Sequence, residues 1–167
     1  MTAKKKVLFI LIAILSIASL NANTQIKNTI FNMTLGQTTQ QRALKIVEDK
    51  WQNISHTDET ITCGDVEFAG YGWEKVVFYF YKNILYKVVF EDPYAVSEKN
   101  MKSWDRPTKT SHIMKNLREA AKSKYSKYGN FWTFKDGTTM LDFSSLTMTY
   151  ENIPLAKKVK SDSLDDL

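Results

Sequence analysis

The sequence predicts an α+β fold: an antiparallel sheet of about six strands with two helices on one face, in the order α-β-β-β-α-β-β-β. Three observations lead there. Two stretches, 39–51 and 109–128, repeat apolar residues at helical spacing. Between and after them lie runs dense in β-branched and aromatic residues, most clearly Val76 to Tyr81. Short turns such as Lys82-Asn83 and Asp136-Gly137 separate those runs, which makes neighbouring strands antiparallel. An antiparallel sheet backed by both helices would bury both apolar stripes in two layers.

The chain opens on Lys4, Lys5 and Lys6, followed by an apolar run from Val7 to Leu20 and small or polar residues around Ala18 to Ala22. That is the layout of a secretory signal peptide, expected to be cleaved after Ala22, with Ala18 the alternative. The apolar run falls short of the roughly 20 residues that cross a bilayer. The mature chain is therefore expected to be exported, periplasmic or secreted, with no membrane span after cleavage. Residues 1–22 are assigned to the signal, 23–152 to a single α+β domain and 153–167 to a disordered tail. Dropping 22 of 167 residues leaves 145, a length that suits one domain.

The formal net charge of +5 comes from 23 basic and 18 acidic residues, but three of the basic ones lie in the signal, so the mature chain carries only +2. Mixed signs near neutrality argue against nucleic acid as a partner. Cys63 is the single cysteine, so no disulfide can form within the chain and the fold must rest on its core. Within Thr60-Ile61-Thr62-Cys63 that thiol is expected to be buried as a small hydrophobe.

Residues 23–35, rich in Asn and Thr, read as a polar lead-in. Thr38 with Gln41 three residues on forms a capping box, and Ala43, Leu44, Val47 and Trp51 make one apolar face, so 39–51 is a predicted helix. Residues 53–59 read as a loop. Strands follow from Thr60 to Phe68, Trp73 to Tyr81 and Ile84 to Phe90, the last stopped by Glu91-Asp92-Pro93. Residues 93–107 form a polar connection. Ile113, Leu117, Ala121 and Tyr125 recur every four residues, giving a second helix over 109–128 that Gly129 ends. Lys122, Lys124 and Lys127 suit the negative end of its dipole. Strands are then expected over Phe131 to Phe134, Thr138 to Phe143 and Leu146 to Tyr150. Beyond Leu155 the chain is charged and poor in large apolar groups, hence the disordered tail. The two halves repeat in kind, with slight residue identity.

Three segments carry a family likeness. They are Asn32-Met33-Thr34-Leu35-Gly36-Gln37-Thr38-Thr39 leading into a helix, Gly64 to Tyr71 followed by Val76 to Phe90, and Tyr125-Ser126-Lys127-Tyr128-Gly129. Together they resemble small exported bacterial proteins of unknown function with a β-lactamase-inhibitor-protein-like tandem fold. The resemblance covers most of residues 30–150. It implies a helix-backed antiparallel sheet and transfers no catalytic residue. Some relatives of that fold bind proteins on the open sheet face. With Cys63 alone, the chain lacks the disulfides of the inhibitors.

Strand alternation supplies the candidate surface. Along 73–81, Val76, Phe78 and Phe80 point one way and Trp73, Lys75, Val77, Tyr79 and Tyr81 the other. If the first set packs under the helices, Trp73, Tyr79 and Tyr81 form an aromatic outer face, with Lys75 tuning its charge. Aromatic rings with polar handles are enriched in binding surfaces. The expected function is thus a non-catalytic exported binding protein that recognises a protein or a glycan, of undetermined oligomeric state. Two alternatives stand beside it: a small hydrolase using paired carboxylates such as Glu67 and Asp136, and a structural protein of envelope assembly. His56 and Cys63 match no zinc spacing, and nothing calls for a metal or cofactor.

Overall fold

The computed structural model describes residues 25–165; the expected signal peptide, residues 1–22, lies outside them. A two-strand hairpin opens the described chain, β1 (Thr29–Ile30) and β2 (Met33–Thr34), turned by Phe31 and Asn32 at positive φ. Helix α1 (Gln40–Glu48) follows, then β3 (Ile54–His56), β4 (Thr60–Phe68), β5 (Tyr71–Tyr81) and β6 (Ile84–Ala95). Helix α2 (Thr110–Tyr125), β7 (Thr133–Lys135), β8 (Thr139–Phe143), β9 (Thr147–Asn152) and helix α3 (Ile153–Asp165) complete it. The fold is α+β. Seven strands form one antiparallel sheet in the order β3-β4-β5-β6-β9-β8-β7. The first helix-plus-strands half meets the second through the pairing of its last strand, β6, with β9.

Pairing fixes which residues share a face. One row across the sheet runs Ile54–Cys63–Val76–Phe90–Met148–Phe143. Five of these six are buried in a single core, which also takes in Ala43 and Val47 of α1 and Ile113, Met114 and Leu117 of α2. Both apolar helix stripes therefore belong to the same core as this sheet face. The neighbouring row, Ser55–Thr62–Val77–Val89–Thr149–Asp142–Thr133, spans all seven strands, and none of its residues belongs to that core.

Several local expectations change. The N-cap of α1 is Thr39, whose hydroxyl accepts from Arg42 N–H at 3.4 Å. Thr38 instead takes the Thr34 N–H at 2.8 Å and closes the loop from β2. The lead-in is not merely polar: Ile26, Ile30, Met33 and Leu35 are core residues, and Phe31 packs within 4.8 Å of Trp51 and 5.2 Å of Phe68. Residues 54–56, expected as loop, form the edge strand β3. Helix α2 ends at Tyr125 and passes into a 3-10 turn, Ser126–Tyr128. Gly129 then has an extended φ of 168°, and its role is close approach: a Cβ there would lie 2.0 Å from Thr133 O.

The stretch expected to be a disordered tail is helical over Ile153–Asp165. The Asn152 side chain accepts from Leu155 N–H at 3.0 Å and so caps the first turn. Pro154 sits where its missing N–H has no helical partner to lose. Ile153, Ala156, Val159 and Asp162, three residues apart, are half-buried on one side. The far end is pinned to the β5–β6 hairpin, where Asp162 accepts from the Tyr81 hydroxyl and pairs with Lys82 at 3.0 Å.

Candidate functional site: the outer sheet face

Proline and two acidic residues were expected to stop the strand at residue 90, yet β6 runs on to Ala95. Asp92 and its counterpart on β4, Asp65, both have a φ of 53°. They flank Glu74 of β5, since Val66 pairs with Trp73 and Trp73 with Pro93 on one side of that row, and Gly64 with Lys75 and Lys75 with Glu91 on the other. All three strands thus interrupt their pleat at the same row. Register survives, but side-chain parity slips by one residue. Cys63 and Val66, three apart, both enter the core, as do Val76 and Trp73.

This slip corrects the expected binding set. Trp73 is not on the outer face. Its ring is fully buried against Phe90 at 5.2 Å, and its Nε1–H donates to Phe68 O at 3.1 Å. Lys75 is on the outer face, half-exposed and paired with Glu91 at 2.6 Å; that hydrogen bond raises its pKa. Tyr79 is outward and half-buried. Tyr81 is outward too, but its hydroxyl is engaged by Asp162 of α3.

The parity argument along one strand could not reach Tyr86 and Lys87, which belong to the same surface. Pairing shifts by one residue between Tyr79–Lys87 and Phe80–Leu85, so a bulge places Tyr86 and Lys87 together between the core residues Leu85 and Val88. The Tyr79 and Tyr86 rings meet edge-on at 6.5 Å. The Lys87 ammonium lies 4.2 Å from the Tyr79 ring centroid and 5.5 Å from that of Tyr86. Burial, then the nearby Glu151 carboxylate, raises the Tyr86 hydroxyl pKa. Burial also raises the Glu151 carboxyl against the opposing pull of Lys87 and Lys135. Helix α3 borders this zone: a cavity of about 330 Å³ between them is lined by Lys135, Met140 and Glu151 of the sheet and by Ala156, Lys157 and Lys160 of α3.

The carboxylates considered for hydrolysis are separately occupied. Glu67 is exposed and pairs with Lys99 at 3.6 Å. Asp136 organises the β7–β8 turn, accepting the N–H groups of Ile26 at 2.9 Å, Thr138 at 3.1 Å and Thr139 at 2.8 Å. Burial pushes its pKa up, but those backbone donors prevail and hold it below the ordinary carboxylate range. Glu74 pairs with Arg106 at 2.6 Å, and Asp142 accepts from the Thr133 hydroxyl. His56 and His112 are exposed. Among the described residues, no three His, Cys, Asp or Glu side chains group to hold a metal ion. Cys63 is fully buried, and desolvation pushes its thiol up to about 12, far from the range of a reactive thiolate.

The fold and site define an α+β domain with one sheet face in the core and the other bearing tyrosines, lysines and threonines. The chain matches no family model, curated protein or solved structure.

Proposed function

We propose that this is an exported, non-catalytic binding protein whose outer sheet face recognises a protein or a glycan. The observation that carries the proposal is the grouping of Tyr79 and Tyr86 under the Lys87 ammonium, on the face away from the core helices. Tyrosine combines a large apolar ring with a hydroxyl and loses little conformational freedom, which suits it to recognition surfaces. The row beside it carries Thr62, Val77, Val89 and Thr149. Export is supported by the signal-like opening of the sequence and by its resemblance to small exported bacterial proteins. The non-catalytic reading is supported by Asp136, whose carboxylate is taken up by the backbone N–H groups of Ile26, Thr138 and Thr139.

The test is capture from envelope extract and on a glycan array, comparing the wild-type chain with a Tyr79→Ala/Tyr86→Ala double variant. Anchoring aromatics at interfaces are worth about 2 kcal/mol or more, so capture is expected to weaken at least about tenfold with the unfolding midpoint little changed. Equal capture by the variant would refute the assignment. Collapse of its stability would show that this face is part of the core.

A further inference from the structure

On the core side of the sheet, α2 packs its apolar stripe of Ile113, Leu117, Ala121 and Tyr125 inward. Ala121 is the small member of that stripe, and at its level a cavity of about 220 Å³ remains between α2 and strands β8 and β9. Its walls are apolar: Leu117 and Ala121 of the helix, Leu141 and Phe143 of β8, and Met148 of β9. Two exposed residues also line it and mark where it opens, Lys124 on the last turn of α2 and Lys27 in the lead-in before β1. The lead-in is fixed there, because the N–H of Ile26 donates to the Asp136 carboxylate at 2.9 Å.

Apolar walls favour hydrocarbon over water. The polar groups of the lining favour an anion. Tyr125 and Tyr150 both line the cavity. Among the described residues neither hydroxyl has a hydrogen-bond partner, and neither is sealed off. Burial raises the Tyr150 hydroxyl pKa, so it stays a neutral donor. The Lys124 ammonium lies 5.2 Å from the Tyr125 ring centroid. Neither Lys124 nor Lys27 has an ion-pair partner among the described residues, and the described lining contains no Asp or Glu. An amine would therefore be repelled, and a bare hydrocarbon would leave every donor unused. A hydrocarbon chain ending in a carboxylate uses both the walls and the donors.

We propose that this cavity binds a medium-chain carboxylate, with the chain against Leu117, Phe143 and Met148 and the carboxylate accepting from the Lys27 and Lys124 ammonium groups. An apolar cavity of about 150 Å³ takes one benzene ring, so one of about 220 Å³ suits a chain of roughly eight carbons. This site is independent of the Tyr79–Tyr86 surface, which lies on the other face of the sheet. The experiment is an NMR titration of the ¹⁵N-labelled full chain with octanoate, with octanol, octylamine and acetate as counter-probes. Octanoate is expected to give saturable shifts at the Leu117, Ala121, Tyr125 and Met148 amides and to bind at least about tenfold more tightly than any counter-probe. The double variant Lys27→Gln/Lys124→Gln, at two exposed positions, is expected to stay folded and to weaken octanoate about tenfold. No saturable shift with octanoate, the result if another part of this chain or a second copy fills the cavity, would overturn the proposal. So would octanol or octylamine binding as tightly as octanoate, or unchanged octanoate affinity in the double variant.

Discussion

Trp73 and Tyr79 stand six residues apart on β5 and, by strict alternation, should share a face. They do not. Trp73 is 0 % exposed within the core, whereas Tyr79 lies outside that core under the Lys87 ammonium. Truncating a buried Trp to Ala removes its transfer energy and leaves a cavity, a loss of about 3–5 kcal/mol. Trp73→Ala is therefore expected to lower the urea unfolding free energy by that amount, while Tyr79→Ala changes it by less than about 1 kcal/mol. Asp136 gives a second test at this scale, through pH. Its folded carboxyl titrates below the ordinary value, so its contribution to stability is complete above that value and disappears as pH falls through the depressed one. Asp136→Asn is expected to flatten the acid limb of the stability–pH curve and to destabilise the chain at neutral pH. An unchanged acid limb would mean that the turn does not depend on the charge.

Among the elements, both core helices were legible because their apolar residues recur at helical spacing and need no partner to be recognised. The strands from 60 to 90 were legible for the same kind of reason, as β-branched and aromatic runs between short turns. What escaped was backbone conformation. Asp tolerates a left-handed φ better than most residues, but nothing singles out Asp65 and Asp92 among the chain's aspartates for a φ of 53°, and the slip in that row goes with the inward Trp73 and with a β6 that continues past Pro93. The hairpin at 29–34 was hidden by its Asn-rich surroundings, although Ile30 and Met33 bracket an Asn-containing turn. Helix α3 was hidden because its composition is that of a solvated tail; the Asn152 cap, the half-buried side of Ile153, Ala156 and Val159, and the contacts of Asp162 with Tyr81 and Lys82 hold it. Asp162→Ala is expected to speed amide exchange across 153–165 and leave the core strands unaffected. Gly72→Ala tests the packing on the outer face. Tyr94 is 1 % exposed and confined by Arg106, so its ring cannot yield freely to a new methyl group. A loss of about 1–3 kcal/mol is expected, the range typical of overpacking.

For the whole molecule, the decisive arrangement is the division of one seven-stranded sheet into a core face and an outer face. The α+β class and the antiparallel sheet could be read from helical spacing, β-rich runs and short turns, whereas the make-up of each sheet face could not, because it depends on long-range pairing. Alternation within one strand placed Lys75, Tyr79 and Tyr81 on the face away from Val76, Phe78 and Phe80. Tyr86 and Lys87 join that face only through the β5–β6 register and its bulge. Hydroxyl-radical footprinting of the intact chain, read by mass spectrometry, tests this division most directly. The exposed rings of Trp104 and Trp132, with Tyr79 and Tyr86 on the outer face, are expected to oxidise while Trp73 and Phe90 stay protected until the chain unfolds. Oxidation of Trp73 at the rate of Tyr79 in the native state would contradict it.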